Sequence, residues 1–320
     1  MSDPTHTITL YMPSYNQAPL IPLAIESVLA QTRRPDQFII IDDASSDESP
    51  EIIRDYQRRH PELIHAVLNT ENIGIGAVRH KAISLAKGDL VTYLDGDDLY
   101  EPQKLELEER ALIEHPEAGY AYSNVGFIDQ HGNDTGVWYP ESEPLPQGDL
   151  FSTIARYAFA RGICHRCELM RTSIVRDAGS YEPGMNLYED YNLKLRVSRH
   201  HPGVAIDRVT QRYRIHEGGL HRASYARHFD ALSHIYNKNE SLIDSLDEPE
   251  RTKVRATINS TLASCAWRAV NQAAKGQHPL PKQDVKRYAR HAYRLKPKSY
   301  LQPKHAYRVL RALSRAKAKS

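Results

Sequence analysis

The stretch LVTYLDGDDLYEPQKL, residues 90–105, joins an apolar run to a dense group of acids. Asp95, Asp97 and Asp98 surround Gly96 directly after the run LVTYL. Three carboxylates on one turn repel one another unless a cation or hydrogen-bond donors compensate. Hard oxygen ligands in a D-x-D arrangement suit Mg²⁺ or Mn²⁺, which keep open positions for substrate phosphates. We therefore expect a divalent-cation site that binds a diphosphate, and a solvated Asp-Gly turn is the alternative.

The residues before this stretch alternate strand-like and helix-like runs. The strand-like runs are TITLY, QFIIID, LIHAVL and DLVTYL, and the helix-like runs are APLIPLAIESVLAQT, SPEIIRDYQRRH and GAVRHKAISLAKG. Such alternation predicts an α/β fold, with a mostly parallel central sheet and helices on both faces. Ligands bind beyond the carboxyl ends of such strands. Because MPSYN, DDASSD and DGDD each follow a strand, we expect these clusters to form one site.

Composition indicates an ordinary folded protein with a basic end. The chain has 320 residues, a formal net charge of +2 and 40% hydrophobic residues, which excludes a disordered chain and gives no sign of nucleic-acid binding. We expect a catalytic domain over residues 1–220, with a nucleotide-binding half at 1–116 and an acceptor-side half at 117–220. Residues 221–320 are predicted to be a helical region, and residues 282–320 carry thirteen Lys or Arg against one Asp.

Location and partners follow from the same features. No run reaches the roughly 18–20 apolar residues of a membrane span, and MSDPTHTITLYMPSYN lacks the regions of a signal peptide, so a cytoplasmic protein is expected. A solvated helical cap is the default expectation for the basic end. Peripheral contact with the anionic inner face of the plasma membrane is the sharper hypothesis, and self-association into a homo-oligomer is a further alternative. Two of three cysteines lie in CHRC, residues 164–167, and are interpreted as buried thiols.

A second acidic cluster indicates which nucleotide base the site is expected to bind. The run IIIDDASSDES places Asp42 and Asp43 at the end of a strand. A carboxylate accepts hydrogen bonds and cannot donate, so it can take the N3–H of uracil or thymine or the N1–H of guanine, but not the bare acceptors of cytosine or adenine. With the ring of Tyr15 as a stacking platform, a uridine, thymidine or guanosine diphosphate is expected.

The order of motifs resembles one large enzyme family. PSYN, QT, IIDDASSDES, NIGIGAVRHKAISLAKG, LVTYLDGDD, LYEDYNLKLRV and YRIHEGG follow the pattern of inverting glycosyltransferases of family 2, of the SpsA-like, polysaccharide-synthesis type, over about residues 7–220. The resemblance implies a GT-A (nucleotide-diphospho-sugar transferase) fold. It also implies metal-dependent transfer of one hexosyl or N-acetylhexosaminyl unit from a nucleotide-diphosphate donor, a UDP-sugar first, to a hydroxyl of a glycan or lipid-linked acceptor. The QxxRW motif of processive synthases is absent, so a non-processive enzyme is expected.

The resemblance also assigns roles to individual residues. Five are implied to contact the nucleotide: Pro13, Tyr15, Asp43, Arg79 and Asp95. Three are implied to contact the metal, with the choice between the first two open: Asp97, Asp98 and His216. Glu189 and Asp190 match the catalytic pair, in which Asp190 is the general base. A structural histidine is the alternative for His216, and a helix N-terminal acid is the alternative for Asp190.

Two other function classes fit the sequence less well. A sugar-phosphate nucleotidylyltransferase would show a Gly-rich, basic loop after the first strand, and MPSYNQAPL is neither. A non-catalytic nucleotide-sugar binding or scaffold protein would have lost the base or the metal acids, and this chain has both.

Overall fold

A computed structural model describes residues 6–160, 164–215, 223–297 and 303–316. The chain divides into two compact units, residues 1–217 and residues 218–320.

The first unit contains a nine-stranded sheet with helices between the strands. Its strands are β1 (Ile8–Ser14), β2 (Gln37–Asp42), β3 (Ile64–Leu68), β4 (Leu90–Tyr93), β5 (Leu99–Tyr100), β6 (Tyr120–Ile128), β7 (Asp134–Val137), β8 (Leu169–Arg171) and β9 (Gly203–Arg214). Its helices are α1 (Ile21–Leu29), α2 (Ser49–Arg59), α3 (Ile75–Leu85), α4 (Lys104–Glu114), α5 (Phe151–Ala155), α6 (Thr172–Asp177) and α7 (Glu189–Ser198).

The strand order is β3-β2-β1-β4-β8-β6-β9-β5, with β7 also paired to β6. The first four strands are parallel, as the alternating sequence pattern predicts. The second half is mixed, because β8 runs antiparallel to both β4 and β6 while β9 runs parallel to β6. The long strand β9 has polar residues at many positions, and only part of it is buried, so it lacks the apolar run by which the earlier strands are recognised.

The parallel half is held together by a core that is apolar on both faces of the sheet. Every residue of β1 is buried, and α1 covers the sheet with a stripe at helical spacing: Ile21, Ala24, Ile25 and Val28. Full burial of one such aliphatic side chain contributes roughly 1.5–3 kcal/mol. This packing fixes the strands whose ends carry the acidic clusters.

The register brings the strand ends together. Strand β1 pairs with β2 through Ser14 opposite Asp42, and with β4 through Tyr11 opposite Tyr93. The backbone N–H of Asp43 donates to the carbonyl of Ser14 at 2.8 Å, and the N–H of Leu94 donates to the carbonyl of Tyr11 at 3.0 Å. The expectation that the three polar clusters lie at one edge of the sheet is therefore confirmed.

The second unit is helical. It consists of α8 (Tyr225–Lys238), α9 (Glu240–Asp244), α10 (Glu250–Lys275), α11 (Lys282–Leu295) and α12 (Pro303–Arg315). Its own core contains Phe229, Trp267, Val270, Val285 and Tyr288, packed among alanines. Within the residues that the structure describes, no helix is both long and apolar enough to cross a membrane.

Candidate active site

The acids of DGDD lie on a tight turn at the end of β4. The N–H of Asp98 donates to the carbonyl of Asp95 at 3.0 Å and closes the turn. Gly96 lies close to the loop after β1, because a Cβ at this position would lie 2.5 Å from Oε1 of Gln17 and would require that side chain to move. Asp98 is buried and accepts from the backbone N–H of Arg214 at 2.9 Å, whereas Asp95 and Asp97 are half-buried.

Arginine side chains compensate the charge of this turn. Nη2 of Arg166 lies 2.8 Å from Oδ2 of Asp95 and 3.3 Å from Oδ2 of Asp98. Burial and the neighbouring Asp97 raise the pKa of Asp98 well above its usual value, against the opposing charge of Arg166. Our sequence analysis missed Arg166, although it lies in the CHRC stretch, where an arginine among predicted buried residues was a signal that it needs an acidic partner.

Arg79 connects the DGDD turn to the Glu189–Asp190 pair. Its side chain leaves α3 almost fully buried, donates through Nη2 to Oδ1 of Asp95 at 2.6 Å, and donates through Nε to Oε1 of Glu189 at 3.1 Å. The guanidinium also lies 4.1 Å from the centre of the Tyr93 ring. One side chain therefore holds two of the motifs together. A contact between Arg79 and the nucleotide remains a prediction.

Glu189 and Asp190 begin α7 and have different electrostatic surroundings. Burial raises the pKa of Glu189 to about 7, although the Arg79 charge opposes this. Burial also favours a raised pKa for Asp190, but the charge and hydrogen bond of Lys194, 2.8 Å away, outweigh it and hold that pKa well below its usual range. Asp190 is therefore ionised at neutral pH, which is the state that a general base needs.

Lys194 is a second residue that our sequence analysis missed. Its Nζ is buried, donates to the carbonyl of His165 at 2.7 Å and lies 3.7 Å from Oε1 of Glu168. Lys194 therefore contacts both the predicted base, Asp190, and a second acid, Glu168. Its spacing of four residues from Asp190 in LYEDYNLKL was the available signal, because residues at i and i+4 share one helix face.

Asp43 is held in a fixed orientation by the loop that precedes α3. Its Oδ1 accepts from Nδ2 of Asn69 at 3.0 Å and from the N–H of Ile73 at 2.9 Å, and its Oδ2 accepts from the N–H of Gly74 at 2.9 Å. A carboxylate offers about four acceptor positions, and these hydrogen bonds use three of them. One position of Asp43 therefore remains for the N–H of a nucleotide base. The predicted stacking residue, Tyr15, is 52% exposed, whereas Pro13 is buried in β1 opposite Ile41.

The candidate metal ligands of the site can be compared with those that a divalent cation requires. Among the described residues, no three His, Cys, Asp or Glu side chains group closely enough to hold a metal ion. Mg²⁺ in nucleotide sites is usually bound by one or two carboxylates together with substrate phosphates. Asp97 and Asp98 supply two carboxylates of this kind on one turn, and a cation bound there remains a prediction. The predicted ligand His216 lies outside the described residues.

The cysteines of CHRC are free thiols. Cys164 and Cys167 are buried, and burial raises the pKa of Cys164 to about 12. Such a thiol is protonated at neutral pH and is a poor nucleophile and a poor metal ligand. The stretch therefore acts through packing and through its neighbours His165 and Arg166.

Two solved structures share the fold. The S. aureus protein TarS, residues 1–349 in complex with UDP-GlcNAc, matches with a TM-score of 0.63 and 17% identity, over 97% of this chain and 89% of that one. The mannosyltransferase PcManGT of Pyrobaculum calidifontis, in complex with GDP-Man and Mn²⁺, matches with a TM-score of 0.55 and 19% identity, over 98% of this chain and 88% of that one. At these identities the likeness concerns the fold, and the expected GT-A fold is confirmed.

Sequence relatives cover varying shares of the chain. An uncharacterized glycosyltransferase of Methanocaldococcus jannaschii is 28% identical over 65% of this chain and 70% of its own length. A glycosyl transferase of Escherichia coli K12, provisionally assigned to colanic acid biosynthesis, is 26% identical over 74% of this chain and 82% of its own length. An uncharacterized Mycobacterium tuberculosis protein is 37% identical, but the match spans only 38% of that protein.

The family itself is identified by the N-terminal half of the chain. Residues 9–179, more than half of the sequence, match the family described as Glycosyl transferase family 2. This range contains β1 to β4, the Asp43 cluster and the DGDD turn. The chain therefore belongs to glycosyl transferase family 2 and is a glycosyltransferase.

Proposed function

We propose that this protein is a metal-dependent, inverting and non-processive glycosyltransferase, which moves one sugar from a nucleotide-diphosphate donor to a hydroxyl of a glycan or lipid-linked acceptor. The observation that carries the proposal is the bridge made by Arg79 between Asp95 and Glu189. In a single displacement, the leaving diphosphate and the base must lie on opposite sides of one sugar ring. A guanidinium that contacts both motifs holds the acids of the DGDD turn and the Glu189–Asp190 pair within one site.

The donor is proposed to be a UDP-sugar. The orientation of Asp43, with its remaining acceptor position, supports a base that presents an N–H, and Tyr15 offers an exposed ring for stacking. The neighbours in fold were solved with UDP-GlcNAc and with GDP-Man, and uracil and guanine both present such an N–H. Nη1 of Arg79 is buried without a hydrogen-bond partner among the described residues, which supports an acceptor atom supplied by a ligand.

Asp190 is proposed as the general base. Its carboxylate takes the proton of the acceptor hydroxyl while that oxygen forms a bond to the anomeric carbon, and the bond from this carbon to the diphosphate oxygen breaks. Attack from the face opposite to the leaving group inverts the anomeric configuration. Lys194 keeps Asp190 ionised and oriented. A cation bound by Asp97 and Asp98 would supply charge stabilisation for the departing diphosphate.

The acceptor is proposed to belong to cell-surface polysaccharide synthesis. A relative with a name from colanic acid biosynthesis supports this class of product. The second unit supports an acceptor at a membrane, because α12 exposes Tyr307 and Leu310, at 63% and 66%, each followed by an exposed arginine, Arg308 and Arg311. Apolar and basic side chains on one exposed helix suit the interface of an anionic membrane.

Titration calorimetry of UDP, GDP and dTDP, with and without Mn²⁺, tests the donor site on the full chain. We expect one diphosphate to bind in the presence of Mn²⁺, and Asp97→Asn to weaken that binding at least about tenfold, a coupling of ordinary size. Asp55→Asn is the matched control, because Asp55 lies on the surface of α2 and pairs with Arg58 and Arg59 in that helix. If none of the three diphosphates binds under either condition, the proposed function is wrong.

A further inference from the structure

Arg166 contacts two acids of the DGDD turn, and one of them, Asp98, is a proposed ligand of the cation. Its Nη2 lies 2.8 Å from Oδ2 of Asp95 and 3.3 Å from Oδ2 of Asp98. The other oxygen of Asp98 accepts from the backbone N–H of Arg214 at 2.9 Å. A divalent cation that binds Asp98 would therefore lie beside the positive charge of the Arg166 side chain, and that charge opposes its binding.

The residues around Arg166 hold its guanidinium in this position. The ring of Tyr213 lies 4.3 Å below it, and Nε2 of Gln211 donates to the Arg166 carbonyl at 3.0 Å. The next residue, Cys167, has a φ of +50° and its carbonyl accepts from Oγ1 of Thr92 at 3.0 Å. A buried cysteine in the left-handed region is strained, and such strain is found mainly at functional positions.

Arg166 is also able to change partners. Its side chain retains 20% exposure, whereas Arg79 on the other side of Asp95 retains only 4%. Both oxygens that Arg166 contacts are on the turn that is proposed to face a diphosphate. A guanidinium matches phosphate oxygens as well as carboxylate oxygens.

We propose that Arg166 competes with the divalent cation for Asp98, and that a donor diphosphate relieves this competition by giving Arg166 another anionic partner. This inference rests on the proposed function. Its consequence is that metal and nucleoside diphosphate bind cooperatively: either ligand alone binds weakly, and each raises the affinity for the other by the same factor. The enzyme thereby binds the cation mainly together with a donor.

Calorimetry on the full chain measures this coupling directly, with Mn²⁺ alone, UDP alone and both together. In Arg166→Met the competing charge is removed, so we expect the affinity for Mn²⁺ alone to rise about tenfold and the coupling between Mn²⁺ and UDP to fall by a similar factor, within the usual range of couplings. Arg166→Lys keeps the positive charge and should bind Mn²⁺ alone within about threefold of the parent. Arg212→Met is the matched control, because Arg212 lies on the same strand as Tyr213 and pairs with Glu101 and Asp134 instead.

Thermal unfolding confirms that each variant is folded. Tyr213→Leu is a second probe that preserves every charge: it removes the ring beneath the guanidinium and should raise the affinity for Mn²⁺ alone by a smaller factor of about three, as expected for loss of an exposed cation–π contact. The inference is overturned if folded Arg166→Met binds Mn²⁺ alone no more tightly than the parent, or if the parent binds Mn²⁺ and UDP independently. Failure of UDP to bind at all contradicts the proposed function, while the Mn²⁺ titrations still decide whether Arg166 competes.

Discussion

At the scale of single residues, the predicted base Asp190 forms its closest ion pair with Lys194. Substitutions of these two residues test the proposed mechanism. The two side chains lie 2.8 Å apart on one face of α7, and Lys194 is almost fully buried. Because the lysine favours the ionised carboxylate, the base is deprotonated over the neutral pH range. The proposed role of Asp190 and the effect of Lys194 can be tested separately.

Asp190→Asn removes the carboxylate and keeps the size of the side chain. We expect kcat to fall by about 10²–10⁴-fold, the usual contribution of a general base, while UDP binding with Mn²⁺ stays within a few-fold of the parent. Transfer assays with nucleotide-sugar donors, together with calorimetry, measure both quantities. Asp55→Asn on α2 is the control for loss of one acid. Full activity of Asp190→Asn would show that another group is the base.

Lys194→Met should shift the pH dependence of catalysis. Without the lysine, burial raises the pKa of Asp190, so the acidic limb of kcat/KM should move to higher pH. The stability that this pair contributes is present above the unfolded pKa of Asp, about 3.9, and is lost as pH falls toward the lower folded pKa. This contribution should be missing in Lys194→Met, which a comparison of unfolding at several pH values measures.

Lys104→Met is the matched control for that experiment. Lys104 and Glu108 form a fully buried pair at the same i, i+4 spacing in α4. Lys104→Met leaves buried Glu108 without its lysine, and Lys194→Met leaves buried Glu168 and half-buried Asp190 without theirs, so each should lower the free energy of unfolding by about 3–5 kcal/mol. Only Lys194→Met should move the acidic limb. Identical pH profiles for the two variants would contradict the role given to Lys194.

At the scale of secondary-structure elements, helix α3 packs closely against the backbone of the segment before α7. A Cβ at Gly76 would lie 2.3 Å from the carbonyl oxygen of Met185 and 2.4 Å from that of Glu182. Helix α3 carries Arg79, and the segment over residues 182–185 leads into Glu189. The close packing therefore supports the bridge between the two motifs.

Gly76→Ala should disturb this contact. We expect the free energy of unfolding to fall by about 1–3 kcal/mol, the usual cost of an overpacked site, and kcat to fall because the Arg79 bridge is displaced. Gly184→Ala is the control in the same segment: no atom lies within 4 Å of its added Cβ, and only its φ of +69° opposes the change. Equal loss of kcat in both variants would mean that the packing at Gly76 does not position the site.

Helix α12 permits a test of membrane contact. Replacing exposed Tyr307 and Leu310 by serine removes two apolar side chains beside Arg308 and Arg311. We expect the double variant to bind phosphatidylserine vesicles roughly tenfold more weakly, because burial of each side chain contributes about 1.5–3 kcal/mol when complete and less at an interface. Vesicle sedimentation measures this, with Leu23→Ser as the control, because Leu23 is an apolar residue on α1 that is 51% exposed. Unchanged sedimentation would contradict membrane contact through α12 and would favour a solvated cap.

At the scale of the whole molecule, the family match and the described site residues all lie in the first unit. The second unit has its own core around Trp267. We expect a fragment of residues 1–217 to unfold cooperatively and to bind UDP with Mn²⁺ within about threefold of the full chain, since its core and site are internal to it. Thermal unfolding and calorimetry check both points. An aggregated fragment, or one that has lost nucleotide binding while folded, would show that the second unit is needed.

The sequence by itself determined the parallel half of the sheet, the strand ends that carry Asp43 and DGDD, and the family. These features are local: strand and helix periods and acids after a strand can be read from neighbouring residues. Only the tertiary structure decided that Arg166 pairs with Asp95, 71 residues away, and that Arg79 pairs with Glu189, 110 residues away. It also decided the mixed second half of the sheet, where β9 lacks a continuous apolar run. Such partners depend on which loops and strands meet in space, and no local pattern contains that information.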